Sequence, residues 1–275
     1  MGISQKHRIL ILGASGYIGN AIYKELGAYF KTFGTYCTPK SALKKSTHFF
    51  KYSVEEDDIY DILEACKPTV IISALRGNFN AQTIAHQHIA EYSVTYNCKL
   101  IFLSSANVFD GYSKYPSYEI DKTFSQSIYG HFKIKIENLL LRLPKKQVAI
   151  LRLPMVFGTN CPRLQELKTA ITEKTAVEVF PNLICNVMHV KKLTQQIHYI
   201  VNRNRFGIYH LGSTDLVHHN EFIKTIITTL TDAKVIFKNV FTTNEDRYLA
   251  VLPNYNKLPK HLQITSTEVL EALRK

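Results

Sequence analysis

Glycines 13, 16 and 19 follow directly on an apolar run, Arg8–Leu12, and open an amphipathic stretch, Ile18–Tyr29. That order, strand then glycine turn then helix, is the tightest constraint in the chain. The first glycine permits a sharp turn out of a strand, the second lets backbone approach a pyrophosphate, and the third lets the helix pack closely on the strand. The helix then points its free N–H groups at the phosphates. The context is the one such a triplet needs for dinucleotide binding, within a first βαβ unit.

The rest of the first half keeps the same alternation. Strand-like runs at Thr32–Tyr36, Val70–Ala74, Leu100–Leu103 and Val148–Leu153 are separated by helix-like stretches at Asp58–Cys66, Asn80–Tyr96 and Ser127–Leu141. Near-continuous apolar strands between helices predict an α/β fold of the Rossmann type, a doubly wound parallel sheet covered on both faces. After about residue 158 the pattern loosens. A helix at Arg163–Thr172, a further strand–helix pair, a strand-like Phe206–Leu211, a helix at Asn220–Leu230 and a short one at Ser266–Arg274 predict a smaller C-terminal substrate-binding lobe. The expected division is 1–158 with about 186–212 for the dinucleotide-binding domain, and about 159–185 with 213–275 for the lobe.

Composition narrows the function classes. The chain has 275 residues, 45% of them hydrophobic, which excludes global disorder. No run of 18 apolar residues suggests a membrane helix, and the start MGISQKHRIL has no apolar signal core, so a cytoplasmic protein is expected. Five scattered cysteines, none at C-x-x-C spacing, argue for reduced thiols and against a structural zinc site. His86 and His88 point to different helix faces, and His218-His219 lacks a carboxylate at metal spacing, so no metal site is expected. Residues 1–150 carry 18 Lys/Arg and 12 Asp/Glu, and residues 151–275 carry 16 and 10, so each half holds +6 of the net +12. An even excess suits a small polyanion such as a nucleotide, and no nucleic-acid partner is expected.

Three Tyr-x-x-x-Lys pairs occur. Tyr36/Lys40 straddles Pro39, Tyr118/Lys122 lies in a polar loop, and Tyr129/Lys133 alone falls in a helical stretch, where residues four apart project side by side. Upstream, the strand Leu100–Leu103 runs into Ser104-Ser105-Ala106-Asn107-Val108-Phe109-Asp110-Gly111. These residue types suit hydride addition to a carbonyl. Ser105 can hold the oxygen, Tyr129 can protonate it, and the Lys133 ammonium lowers the phenol from its ordinary value near 10 by favouring phenolate. Asp110-Gly111 reads as a turn after the site. For the cofactor, no Asp or Glu occurs from Ala28 to Val54, whereas Lys40, Lys44 and Lys45 follow the second strand, so NADP(H) is favoured over NAD(H).

The G-x-x-G-x-x-G spacing resembles the short-chain dehydrogenase/reductase superfamily. Within its extended branch the chain is most similar to the dTDP-4-dehydrorhamnose reductase family. The segments ILGASGYIG, CKPTVIISA, FNAQTIA, LSSANVFDG, YGHFK, ILRLPMVFG, NVMHVKKL and GIYHLGS run in family order from residue 7 to about 230. The resemblance implies catalysis by Ser105, Tyr129 and Lys133. It implies cofactor contacts at Gly13, Ser15, Gly16, Tyr17, Ile18, Gly19, Thr38, Lys40, Ser53, Ala74, Leu75, Arg76, Ser104, Tyr129, Lys133 and Pro154. It also implies reduction of a 4-keto-6-deoxy nucleotide sugar, dTDP- or UDP-linked. Candidate substrate contacts are Asn107, Phe109, Met155, Arg163 (toward the diphosphate), Asn186 and His189. Asn80 stands where the family has an Asn on the fourth helix, and family members are often dimers, so a homodimer is implied.

Departures from the family pattern keep alternatives in view. The chain is about a dozen residues shorter between Gly77 and Phe79. Arg76, Met155 and Lys191-Lys192 replace other residue types. A nucleotide-sugar epimerase is one alternative. The other is a non-catalytic dinucleotide-binding role like that of the regulatory subunit of methionine adenosyltransferase.

Overall fold

The structure, a computed structural model, describes residues 4–38, 46–112, 114–232, 234–241 and 244–274, with the side chains of residues 4–6 excepted. The chain divides into two compact units. One comprises Met1–Ser104, Phe132–Leu151 and Thr194–Ile208, and the other Ser105–His131, Arg152–Leu193 and Tyr209–Lys275.

In chain order the elements of the first half are β1 (Ser4–Leu12), α1 (Tyr17–Gly27), β2 (Phe30–Tyr36), β3 (Phe49–Lys51), α2 (Ile59–Cys66), β4 (Val70–Ser73), α3 (Phe79–Thr95), β5 (Lys99–Ser105) and α4 (Ile128–Leu140). Then follow β6 (Val148–Leu153), β7 (Met155–Phe157), α5 (Pro162–Glu173), β8 (Val177–Val179), β9 (Leu183–Cys185), β10 (Val187–His189), α6 (Val190–Asn202) and β11 (Gly207–His210). The last are β12 (Val217–His218), α7 (His219–Leu230), β13 (Phe237–Asn239), β14 (Arg247–Leu249) and α8 (Ser266–Arg274).

The seven-stranded parallel sheet has the order β11-β6-β5-β4-β1-β2-β3. The chain reverses direction of growth between β3 and β4, and the carboxyl ends of β1 and β4 flank that switch point, where α/β sheets bind ligands. β4 and β6 are buried along their whole length. Strands buried on both faces cannot alternate apolar with polar, which is why these runs read as continuous. Leu10, Leu12, Ile71, Leu100, Phe102 and Ile150 from the sheet pack with Ile59, Leu63, Ile89, Phe132 and Ile136 from the helices in one apolar core. Asp58 caps α2 by accepting from the Tyr60 N–H, and Asn78 caps α3 through the N–H groups of Asn80 and Ala81.

In the other unit β12, β9 and β14 form a small sheet, β7 pairs with β10, and β8 pairs with β13. These strands are two or three residues long. No period of two can be read over so few residues, which explains why most of them, and β3, escape sequence analysis. A buried polar knot holds the C-terminal segment here. The Glu119 carboxylate accepts from the N–H groups of Asn254, Tyr255 and Asn256, while Arg152 donates to the Glu119 carbonyl and faces His210 Nε2 at 3.2 Å.

Candidate active site and dinucleotide cradle

The turn after β1 is built as its glycines require. Gly13 has φ +79°, and a Cβ there would lie 2.5 Å from the Ala74 carbonyl oxygen. A Cβ at Gly19 would collide with the Gly13 carbonyl oxygen. Gly16 donates to that same carbonyl at 3.0 Å and caps α1 with no side chain, and the first turn of α1 has no acidic residue. The first turn of α1 thus brings no carboxylate of its own to the helix's positive end, which suits a phosphate. Ser15, Tyr17 and Ile18 line this turn and are partly buried. Thr35 on β2 pins the loop, accepting from Gly13 N–H through Oγ1 at 2.8 Å and from Ser15 N–H through its carbonyl at 3.2 Å. Sequence reasoning missed Thr35, because a threonine inside a β-strand looks like any other.

The remaining cofactor expectations fall in varied settings. Ala74 and Leu75 are partly buried after β4, and Arg76 is exposed, as is Thr38 after β2. Ser53 is buried, and its N–H donates to the Asp57 carboxylate at 2.6 Å. Pro154 is partly buried between β6 and β7. Lys40, with Lys44 and Lys45, lies outside the described residues.

The Ser105 hydroxyl ends β5 and starts a single 3-10 turn, Ala106–Phe109. It accepts from Asn107 N–H at 3.2 Å and donates to Asn107 Oδ1 at 2.9 Å. The first turn of α4 is pressed against this loop. A Cβ at Gly130 would strike both the Asn107 carbonyl oxygen and Ser125 Oγ. Only the missing side chain of Gly130 lets the turn bearing Tyr129 sit so near the turn bearing Ser105. Tyr129 itself is 41% exposed. Four residues on, Lys133 is inside the protein. Its Nζ donates to the Leu103 carbonyl at 2.9 Å and lies 4.6 Å from the Phe102 ring centroid. Burial pulls its pKa down from 10.5 to about 8, and Glu137 works in the opposite direction.

Asp110 does more than turn the chain. Its carboxylate accepts from Gln126 N–H at 2.6 Å and from the Ser127 hydroxyl, and Ser127 Oγ in turn accepts from Gly130 N–H at 3.0 Å. Burial opposes the charge of Asp110, but the hydrogen bonds from Ser127 and Gln126 outweigh it and hold the carboxyl below 3.8. With the folded pKa below the unfolded one, this contribution is complete above about pH 4 and is lost as pH falls through the folded value. Asp110→Asn is expected to lower stability at neutral pH and to flatten its decline on acidification, measured by denaturant unfolding across the acid range. A pH dependence identical to that of the parent chain would exclude this role.

Three residues sit differently from expectation. Asn186, expected to touch substrate, is fully buried. Its amide donates to the carbonyls of Ser213 and Val251 and accepts from Val251 N–H, so its hydrogen-bonding capacity is spent on cross-linking β-segments. Asn186→Leu is expected to cost about 2–4 kcal/mol in denaturant unfolding, because the partner groups stay buried and unpaired. Phe109 is also a core residue, with its ring between His210, Tyr112 and the Arg152 guanidinium, so it supports the loop from beneath. The Ser104 hydroxyl, expected at the cofactor, instead donates to the buried Glu137 carboxylate. Met155 and His189 are partly buried on the paired strands β7 and β10, and burial and then Lys191 lower the His189 pKa. Arg163 is exposed at the start of α5, and its charge reaches Cys185 and His219.

Among the described residues no helix is long and apolar enough to cross a membrane, and no cluster of three metal-ligating side chains occurs. His86 is fully buried, bonded to Ser73 Oγ and the Gln82 carbonyl, and His88 packs on Tyr60.

Comparison with known proteins agrees with this architecture. A family profile described as the RmlD substrate binding domain matches residues 7–260. A dTDP-4-dehydrorhamnose reductase from Aggregatibacter actinomycetemcomitans is 24% identical over 277 residues, covering 90% of this chain and 88% of the relative. The Bos taurus methionine adenosyltransferase 2 subunit beta is 27% identical over 191 residues, covering 66% of this chain and 56% of that relative. Among solved structures, a dTDP-4-dehydrorhamnose reductase from Bacillus anthracis in complex with NADP superposes with a TM-score of 0.77 at 20% identity, covering 98% of each chain. A dTDP-glucose 4,6-dehydratase from the same organism in complex with NAD gives 0.78 at 17% identity, covering 97% of this chain and 94% of that one.

Proposed function

The chain belongs to the RmlD substrate binding domain family, a group resembling dTDP-4-dehydrorhamnose reductase within the extended short-chain dehydrogenases/reductases, and from that premise we propose that it is an NADP(H)-dependent reductase of a 4-keto-6-deoxy nucleotide sugar. The observation that carries the reading is the seating of Tyr129's helical turn against the Ser105–Asn107 loop through Gly130, with Lys133 one turn deeper.

The glycine turn and the N-terminus of α1 would hold the cofactor's pyrophosphate. The absence of Asp or Glu in the sequence from Ala28 to Val54 favours the 2′-phosphorylated form, since the segment that follows β2 brings no carboxylate of its own. When bound, the nicotinamide supplies the hydride. Tyr129 gives its phenolic proton to the substrate's carbonyl oxygen as the hydride reaches the carbon, so C=O becomes CH–OH. The Ser105 hydroxyl rotates from Asn107 Oδ1 to donate to the same oxygen, which stabilises the charge that develops there. The Lys133 ammonium favours the phenolate that Tyr129 becomes, and so makes it the stronger acid. Arg163, Met155 and His189 are the proposed sugar-nucleotide contacts, with Arg163 for the diphosphate.

The methionine adenosyltransferase beta subunits among the relatives favour a second reading, a dinucleotide-binding partner without turnover. One experiment separates the two. Purified protein is mixed with NADPH and a panel of dTDP- and UDP-linked 4-keto-6-deoxy sugars, and loss of the reduced nicotinamide absorbance is followed. Turnover on one sugar supports the reductase. Tight cofactor binding with none on any sugar supports the partner role and overturns the first reading.

A further inference from the structure

The chemistry above leaves one buried carboxylate without a task. Glu137 stands one turn beyond Lys133 on α4, is 1% exposed, and accepts a hydrogen bond from the Ser104 hydroxyl. Lys133 is 6% exposed. An ammonium so placed needs a counter-charge, because a carbonyl and an aromatic face repay only part of the lost hydration.

Several groups face Lys133 from β5, from α3 and from its own helix. β5 offers the Leu103 carbonyl and the Phe102 ring. α3 offers His86, whose Nδ1 meets the Gln82 carbonyl at 2.6 Å and whose Nε2 meets Ser73 Oγ at 2.9 Å. Donation from Nδ1 and acceptance at Nε2 describe a neutral ring. Burial first, with Lys133 adding to it, holds the His86 pKa at about 4. Lys133's own helix carries Tyr129 and Glu137. Among these named groups Glu137 is the only carboxylate. The Ser104 hydroxyl donates to it and anchors it in place.

We propose that Glu137, anchored by Ser104, is a positioning residue that keeps Lys133 charged and fixed on the helix that also carries Tyr129. This rests on the reductase reading for its catalytic meaning, since there the ammonium is what makes Tyr129 a competent acid. The charge relation between the two side chains stands apart from turnover. Ser104 and Glu137 thus form a support for the Lys133 ammonium.

The test is a direct titration of the full chain labelled with 13C-lysine, with the Lys133 resonance assigned by its loss in Lys133→Arg. The midpoint is expected near 8 in the parent protein and lower by about one unit or more in Glu137→Gln, which keeps the shape and loses the charge. Glu137→Asp should restore most of the difference. A Glu137→Gln midpoint within about 0.3 units of the parent's overturns the proposal. If Glu137→Gln loses its cooperative thermal transition, Ser104→Ala replaces it. Its midpoint should move the same way by less, and an unmoved midpoint overturns the proposal. In parallel, the alkaline limb of kcat/KM should move down with the Lys133 midpoint. A parent protein without turnover on any sugar defeats the reductase reading, while the titration still judges Glu137.

Discussion

Tyr129→Phe is expected to lower kcat by about 10²–10⁴-fold on whichever keto sugar is turned over, the range general acid catalysis spans. The substitution removes one oxygen from a side chain that is 41% exposed, so little packing is lost and the fold should persist. Gly130 still seats the turn against the Asn107 carbonyl, and Lys133 still reaches the Leu103 carbonyl. Cofactor affinity should therefore stay within a few-fold, read by quenching of protein fluorescence on addition of NADPH. The split matters more than the size of the loss. A variant that binds cofactor and keeps its turnover would remove Tyr129 from the chemistry. One that loses binding and turnover together would place the phenol at the cofactor instead of at the transferred proton.

Gly19→Ala should produce the largest loss of cofactor binding. The added Cβ meets the Gly13 carbonyl oxygen and lies 3.1 Å from Ala14 Cα, both of them backbone. Neither can yield easily. Gly13 is held at positive φ, its N–H is bonded to Thr35, and Ala74 walls its other side. Relief must come from pushing α1 away from β1, which opens the turn that presents the helix N-terminus. A destabilisation of about 2–4 kcal/mol is expected from such overpacking, with NADPH binding weakened about 100-fold or more, since the anion site depends on the turn's shape. Thermal unfolding and a binding titration check both. Unchanged values for both would mean that the turn is looser than its geometry indicates.

These two variants also bear on the relatives. A dTDP-4-dehydrorhamnose reductase and the methionine adenosyltransferase beta subunits both match this chain at 24–28% identity. A non-catalytic partner would respond to Gly19→Ala and ignore Tyr129→Phe. A reductase responds to both.

Several features were legible before any coordinates. The glycine turn, the parallel sheet and the helix α4 follow from local rules: glycine where no Cβ fits, apolar runs where both faces are covered, and residues four apart on one helical face. The parallel sheet is as expected, although its edge strand β3 was not read, and α8 lies at Ser266–Arg274 as read. The placement of Tyr129 and Lys133 within one helix also followed from spacing, although their joint role in catalysis is part of the proposal.

Other matters only the tertiary structure decided. Asn186 and Phe109 sit in segments shared with a known family, yet their side chains point into the second unit's interior. Sequence carries residue type, not the direction a side chain takes from a short strand or a single 3-10 turn. Ser104 and Ser105 are adjacent and chemically identical. They emerge on opposite faces of the end of β5, one toward the Glu137 carboxylate and one toward Asn107. Thr35 pins the glycine turn from 22 residues away, and Asp110 pins the start of α4 from 17 residues away. The sequence by itself determined the fold class and the chemical groups available, because those depend on local stereochemistry and periodicity. Which groups face one another, and which of two neighbouring serines bonds the Glu137 carboxylate, depended on long-range packing, where burial and hydrogen bonds compete for each side chain.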